Sequence, residues 1–302
     1  MADFHTPFDG SSKPFTIGLK PLDPADWIEV DDQLRAYLDE KDRVGQQNPH
    51  QVFAAEPGSF DAQREVLDML AAHLPARFPD IYLPTGMAID IIPAFRRVDL
   101  LSPLPPLLGA ASLVQEDLVI MQKDGESWRL TAASLSFPSS WHLREKFGRP
   151  LHEVHAPVPE FGEGTRNAGM IERIFDNLRP EQPVIRWNWS IHDDDALFHP
   201  PAGRPYDFGR GAFLRLERQT LRKLPKTGAI LFTIRIHLDP LDTLAQHPPA
   251  LAAMLAGQLA ALDEAQLAYK GLTAQRQHLL DRLAATGSMA SSQAAPVRSP
   301  QM

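Results

Sequence analysis

The residues able to do chemistry in this sequence are its histidines, the carboxylates within strands and the strand arginines. His152 and His155 stand three apart, and His155 precedes the stiff run Ala156-Pro157-Val158-Pro159. On a helix, residues three apart share a face. The prolines argue against a helix here, because the residue before each proline is biased to extended geometry. In an extended chain, positions three apart lie on opposite faces, so at most one of the pair faces a given pocket. His155 adjoins the stiff segment and is the better ligand candidate. Residue physics leaves it open between a ligand and a packed or capping side chain. "HDDDALFH" (192–199) has the composition of a metal cluster. Its adjacent Asp193, Asp194 and Asp195 point in different directions, and the expectation is a solvated turn or cap after a strand.

Glu116 and Asp117 are neighbours in an apolar strand and point to opposite faces. Desolvation would raise the pKa of whichever faces inward and suit it to proton transfer; the plainer reading pairs it with Arg129 or Arg144. In the last two strands, alternation puts Ile230, Phe232, Ile234 and Ile236 on one face and Leu231, Thr233, Arg235 and His237 on the other. It likewise separates Arg215, Glu217 and Gln219 from Leu216, Arg218 and Thr220. The isoleucine face reads as core. The other face meets solvent or a polar cavity, and an arginine buried there would need an anionic partner.

The totals narrow the chemistry. The chain has 302 residues, a net charge of −8 and no cysteine. Acidity makes nucleic acid a poor partner. The missing thiol removes disulfides, iron–sulfur clusters bound by this chain and thiolate-ligated zinc or haem. There is no HExxH, phosphate-binding glycine loop or nucleophile elbow. The first 20 residues lack an apolar run flanked by basic residues and no stretch reaches 18 apolar residues, so a cytoplasmic location and no membrane span are expected.

The elements that must position these residues follow from periodicity. Helical spacing of Trp27, Val30, Leu34 and Leu38 predicts a helix over 23–47, and Leu67, Leu70 and Leu74 predict another over 59–79. Segments 113–122, 127–137, 184–191, 212–221 and 229–238 are rich in β-branched and aromatic residues. The first two are joined by "KDGE" and the last two by "RKLPKTG", both hairpin signals. Five strands with two hairpins predict one antiparallel sheet in an α+β domain, with connecting helices over 139–147 and 166–179. The Ala/Leu-rich stretch 248–287 reads as a bundle or dimerisation helix, which would make a homo-oligomer, and 288–302 as a disordered tail. Domain organisation is expected as an N-terminal helical and loop extension (1–112), a core (113–245), C-terminal helices (246–287) and the tail.

"IGLKPLDPADWIEVDDQL", "VQEDLVIM", "SFPSSWHLREKFGRPLHEVHAPVP", "RWNWSIHDDDALF" and "LRLERQTLRKLPKTGAILFTIRIH" together resemble the haem-dependent oxidative N-demethylase α-subunit-like family, over about residues 15–250. The resemblance implies a PAS-like five-stranded antiparallel core that binds haem b. It implies an oxygenase subunit taking electrons from NADPH through separate flavin and iron–sulfur subunits. Dioxygen would be used to remove a methyl group, as formaldehyde, from a small secondary amine such as dimethylamine. His155, in the "H-x-PVP" string, is carried over as the iron ligand, with His152, His192 and His237 competing. Arg218 and Arg235 are carried over as propionate partners. Glu116 or Glu217 would be the distal acid or the ammonium-recognition group, with Trp187 and Trp189 offering aromatic faces to the haem pocket. The alternatives are a non-catalytic PAS-like haem sensor and an interaction protein without haem.

Overall fold

A computed structural model describes residues 5–8, 13–125, 127–139, 141–199, 205–209 and 211–293. The tail beyond 293 lies outside them, as does the proline-rich stretch 200–204. The first part of the chain forms β1 (Lys20–Pro21), α1 (Leu34–Gln47), α2 (Pro49–Val52), β2 (Phe53–Ala55), α3 (Phe60–Arg77), β3 (Tyr82–Thr85), β4 (Ala88–Ile91), β5 (Arg96–Asp99) and α4 (Pro106–Ala111). Then come β6 (Asp117–Asp124), β7 (Ser127–Ser134), α5 (Leu143–Lys146), α6 (Leu151–His155) and α7 (Arg166–Asn177). They are followed by β8 (Val184–His192), β9 (Phe213–Lys223), β10 (Ile230–Pro240), α8 (Pro249–Ala260), α9 (Glu264–Tyr269) and α10 (Arg276–Gln293).

The main sheet is antiparallel and runs β1-β8-β9-β10-β6-β7-β2. The five expected strands are its central five. The count of five is corrected to seven, because short β1 and β2 pair onto the two edges. A separate three-stranded sheet, β3-β4-β5, was not expected; its strands are four residues each, too short to show a period. Both expected hairpins form. Gly125 and Gly228 occupy their turns at positive φ (+61° and +70°), the region glycine enters without a Cβ clash.

Three helix expectations are corrected. Residues 24–26 make only a 3-10 turn, and α1 starts at Leu34. Glu29 and Asp31 are held by Arg218 and Arg235, so tertiary ion pairs hold the intervening segment out of the helix. His152 and His155 lie on a helical turn, not an extended segment. Pro150 caps α6 with φ −67°, and Ala156 stays helical (φ −51°, ψ −36°) despite the proline after it. At the other end α10 continues to Gln293, past the expected tail boundary.

The two faces of the sheet are covered differently. One meets the N-terminal helices, through Trp27, Val66, Leu70 and Leu231, and the C-terminal helices, through Leu216, Ile191, Leu255 and Leu283. The Ala/Leu-rich helices therefore spend leucines within their own chain, each buried leucine contributing about 1.5–3 kcal/mol. The other face carries Val119, Met121, Leu221, Ile230, Ile234 and Ile236 against Leu143, Leu151 and Phe175 of α5–α7. Thr165 caps α7, accepting from Ala168 N at 3.2 Å. No helix among the described residues is long and apolar enough to cross a membrane.

Candidate functional site

A cavity of about 370 Å³ lies between the isoleucine face of the sheet and α5–α7. That is within the range of small-molecule and cofactor sites. Its walls are mainly apolar: Val119, Met121, Leu130, Leu221, Phe232 and Ile234 on the sheet side face Val154, Val158, Phe161 and Ile174.

His155 reaches this cavity from the last turn of α6. Its Nδ1 lies 3.0 Å from the carbonyl oxygen of Leu151. A carbonyl only accepts, so Nδ1 carries the proton and donates, and Nε2 keeps its lone pair. Burial, then Lys146, pushes the imidazole pKa down to about 4, so the ring is neutral at ordinary pH. A neutral imidazole with its tautomer fixed by the rear nitrogen is the form that ligates a metal. His192 also lines the cavity, but its Nε2 is 2.9 Å from Ser190 Oγ and its Nδ1 is sealed by protein atoms without a partner.

β8 supplies the polar side of the cavity. Arg186, Asn188, Ser190 and His192 alternate along its inner face, while Trp187, Trp189 and Ile191 point away. Glu217 of β9 is paired in register with Asn188 and accepts from Gln219 Nε2 at 2.7 Å and from Asn188 Nδ2 at 3.4 Å. It is the one carboxylate among the described lining residues. Lys146 comes from α5 and packs its ammonium 4.5 Å from the Trp141 ring centroid. Lys270 follows α9 and is held by Trp189 O and Asn188 Oδ1, at the stretch of β8 left open by the two-residue β1. Burial lowers the pKa of Lys146 and of Lys270 to about 8, with Glu217 opposing the shift at both. Burial lowers Arg186 as well, and its Nε has no hydrogen-bond partner. Among the described lining residues, three cations thus face one carboxylate.

The remaining expected site residues lie elsewhere. Arg218 is on the opposite face, with Nε 3.0 Å from Glu29 Oε1 and a guanidinium nitrogen donating to Trp27 O at 3.1 Å. Arg235 is on that face too, bound to Asp31 Oδ2 at 2.7 Å and stacked 4.1 Å from the Tyr37 ring centroid. Neither lines the cavity, because alternation turns both toward the N-terminal segment and carboxylates there neutralise them. Glu116 is fully buried outside the cavity and accepts from Glu29 N at 3.0 Å; burial raises its pKa. Its neighbour Asp117 is raised to about 6, by burial, and accepts from Ser136 N and Phe137 N. The expected partners are engaged otherwise: Arg129 with Glu56 and Asp124, Arg144 with His50 O. Trp189 packs among the C-terminal helices and donates to Gln258 Oε1 at 2.7 Å. The acidic run after β8 turns, with Asp194 accepting from Ala196 N, but it is not fully solvated: Asp193 is buried and accepts from Asp207 N at 2.7 Å, and donor atoms of Asp193, Asp194 and His199 lie within 4.8 Å of one another. Of the expected residues, the structure brings together His155 and Glu217, with the competing His192 on the same cavity.

A family model described as haem-dependent oxidative N-demethylase, alpha subunit-like, matches residues 18–280. The chain belongs to that family. Its description names haem, and the cavity can be tested against that group. A haem offers an apolar ring, an iron and two propionates. The apolar walls suit the ring, and the excess of two positive charges suits the propionates. His155 offers a nitrogen donor, one of the haem ligands open to a chain without cysteine. The residues present fit the haem of the N-demethylase family.

Sequence reasoning missed Arg186, Lys146, Tyr269 and Lys270. Arg186 had a signal: the polar alternation Arg186-Asn188-Ser190-His192 opposite two tryptophans and an isoleucine marks a strand with a polar inner face. A single lysine and tyrosine between C-terminal helices carry no such signal.

Proposed function

We propose that the cavity holds haem b through His155 Nε2 and that the protein is the oxygenase subunit of an amine N-demethylase. The observation that carries this reading is the Nδ1–Leu151 hydrogen bond, which leaves an unprotonated Nε2 in an apolar cavity. Arg186 and Lys146 are the propionate partners. The central strands β8-β9-β10-β6-β7, two hairpins joined along β10 and β6 with α5–α7 across the cavity face, support a PAS-like core.

Bound haem supplies the dioxygen chemistry. The chain's own residues position the substrate. Glu217 receives a protonated small amine such as dimethylamine, and Asn188 and Gln219 fix its carboxylate. The apolar walls exclude water from the methyl group. Overall, dimethylamine, O2, two electrons and two protons give methylamine, formaldehyde and water. The electrons come from NADPH through separate flavin and iron–sulfur subunits.

The test is the visible spectrum of the purified protein, wild type against His155→Ala, with and without dimethylamine, followed by formaldehyde release with NADPH and a reductase. A Soret band that dimethylamine perturbs, and that is shifted or lost in the variant, is expected. An identical spectrum in His155→Ala would remove His155 as ligand. Haem binding without formaldehyde would favour a sensor.

A further inference from the structure

On the sheet face opposite the cavity, His237 of β10 points its Nε2 at Glu29 Oε2, 3.1 Å away. His5 brings its Nε2 to 3.8 Å from Glu29 Oε1. Donor atoms of the three side chains all lie within 4.8 Å of one another. The two imidazoles meet edge to face at 4.6 Å between centroids, and Trp187 packs against both, 4.6 Å from His5 and 5.9 Å from His237. All three groups are half-buried.

His5 stands at ion-pair distance from a carboxylate that already has two closer partners. Oε1 is already occupied by Arg218 Nε at 3.0 Å and Oε2 by His237. A separation of 3.8 Å is too long for a hydrogen bond. It does suit two ligands sharing one ion: around a tetrahedral centre with bonds of about 2.0–2.1 Å, ligand atoms stand roughly 3.4 Å apart. Arg218 anchors the carboxylate through Oε1, as an outer-shell partner does.

We propose that His5, Glu29 and His237 form a binding site for a zinc-class divalent ion. Two imidazoles and one carboxylate are the donor set of zinc and its transition-metal neighbours, whereas magnesium and calcium take oxygen donors. The ion ties the segment at His5 to β10 and to the loop before α1, and leaves a fourth position for water. This site is independent of the haem reading, since it uses other residues on the other face.

The experiment is calorimetric titration of zinc chloride into the untagged, metal-stripped full-length chain, with magnesium chloride as control. One zinc per chain is expected, with no heat from magnesium. His5→Ala and His237→Gln are each expected to weaken zinc binding by about 100-fold. Far-ultraviolet circular dichroism of each variant establishes that it is folded; His5→Ala lies outside the sheet and serves where His237→Gln does not fold. His199→Gln, at the Asp193-Asp194-His199 cluster whose donor atoms also lie within 4.8 Å of one another, separates any zinc bound there and is expected to leave binding at the His5 site unchanged. No zinc binding by the wild type, or equal binding in wild type and His5→Ala, overturns the proposal.

Discussion

Glu217 and Arg218 are consecutive in β9 and serve opposite faces of the sheet. Glu217 faces the cavity among Lys146, Arg186 and Lys270, whereas Arg218, itself buried, closes an ion pair with the half-buried Glu29 under the N-terminal segment. Strand alternation separates them, so substitutions at neighbouring positions have different readouts.

Arg218→Ala leaves Glu29 without its guanidinium and removes donors from Trp27 O and Asp26 O. Removing one partner of a buried pair costs about 3–5 kcal/mol. Glu29 keeps some contact with water, so the lower end, about 3 kcal/mol, is expected. Chemical denaturation of the haem-free protein measures it, and haem affinity of the folded fraction stays unchanged. Arg186→Met has the reverse pattern. Loss of a cation whose Nε has no partner leaves the haem-free protein as stable or more so, while haem affinity drops about 10- to 100-fold, as for a lost charge-assisted hydrogen bond.

Glu217→Gln keeps the shape of the side chain and removes the cavity carboxylate. The Soret band is expected to persist, while kcat/KM for dimethylamine falls about 10- to 100-fold, mostly through KM. Steady-state formaldehyde release measures this. An unchanged KM would move amine recognition away from Glu217.

His155 gives a pH signature in the haem-free protein. Its folded pKa is about 4, lowered first by burial and then by Lys146, against an ordinary value of 6.5. Between these values the unfolded chain binds a proton that the native state refuses. The stability conferred by the neutral ring is therefore complete above 6.5 and is lost as pH falls toward 4. Asp117, raised to about 6 by burial, works in the opposite sense, since the native state binds its proton first. Comparison of wild type with His155→Gln cancels Asp117. The variant's stability should fall less steeply on acidification, by up to roughly 3 kcal/mol across the interval, read from denaturation midpoints at several pH values.

Thr220 and Thr233 are fully buried and share one hydrogen bond, with 2.6 Å between their Oγ1 atoms. Thr220→Val or Thr233→Val alone strands a hydroxyl and is expected to cost about 1–3 kcal/mol. The double variant removes both hydroxyls and should cost less than the sum of the two. Additive costs in a double-mutant cycle would show that the pair is not coupled.

Much of the fold was legible because the signals are local. The five central strands, both hairpins, α3 and α7 follow from β-branched runs, turn residues and apolar spacing. The start of α1 was not legible, since Glu29 and Asp31 are held out of the helix by arginines 189 and 204 positions away. The α6 turn is not legible because a proline disfavours helix in the residue before it, whereas here Pro150 starts the turn and Pro157 follows its end.

For the candidate site, the sequence by itself determined which residues share a face: Glu217 with Gln219, Arg218 with Thr220, Ile234 with Ile236. The period of a strand is two whatever packs against it. Only the tertiary structure decided which face holds the cavity. That depends on where the covering layers leave a gap, and the layers come from segments far apart in the chain. The N-terminal segment brings its own carboxylates to Arg218 and Arg235 and seals their face. α5–α7 lie across the isoleucine face and leave room there, where His155, Glu217, Arg186 and a lysine from beyond α9 converge.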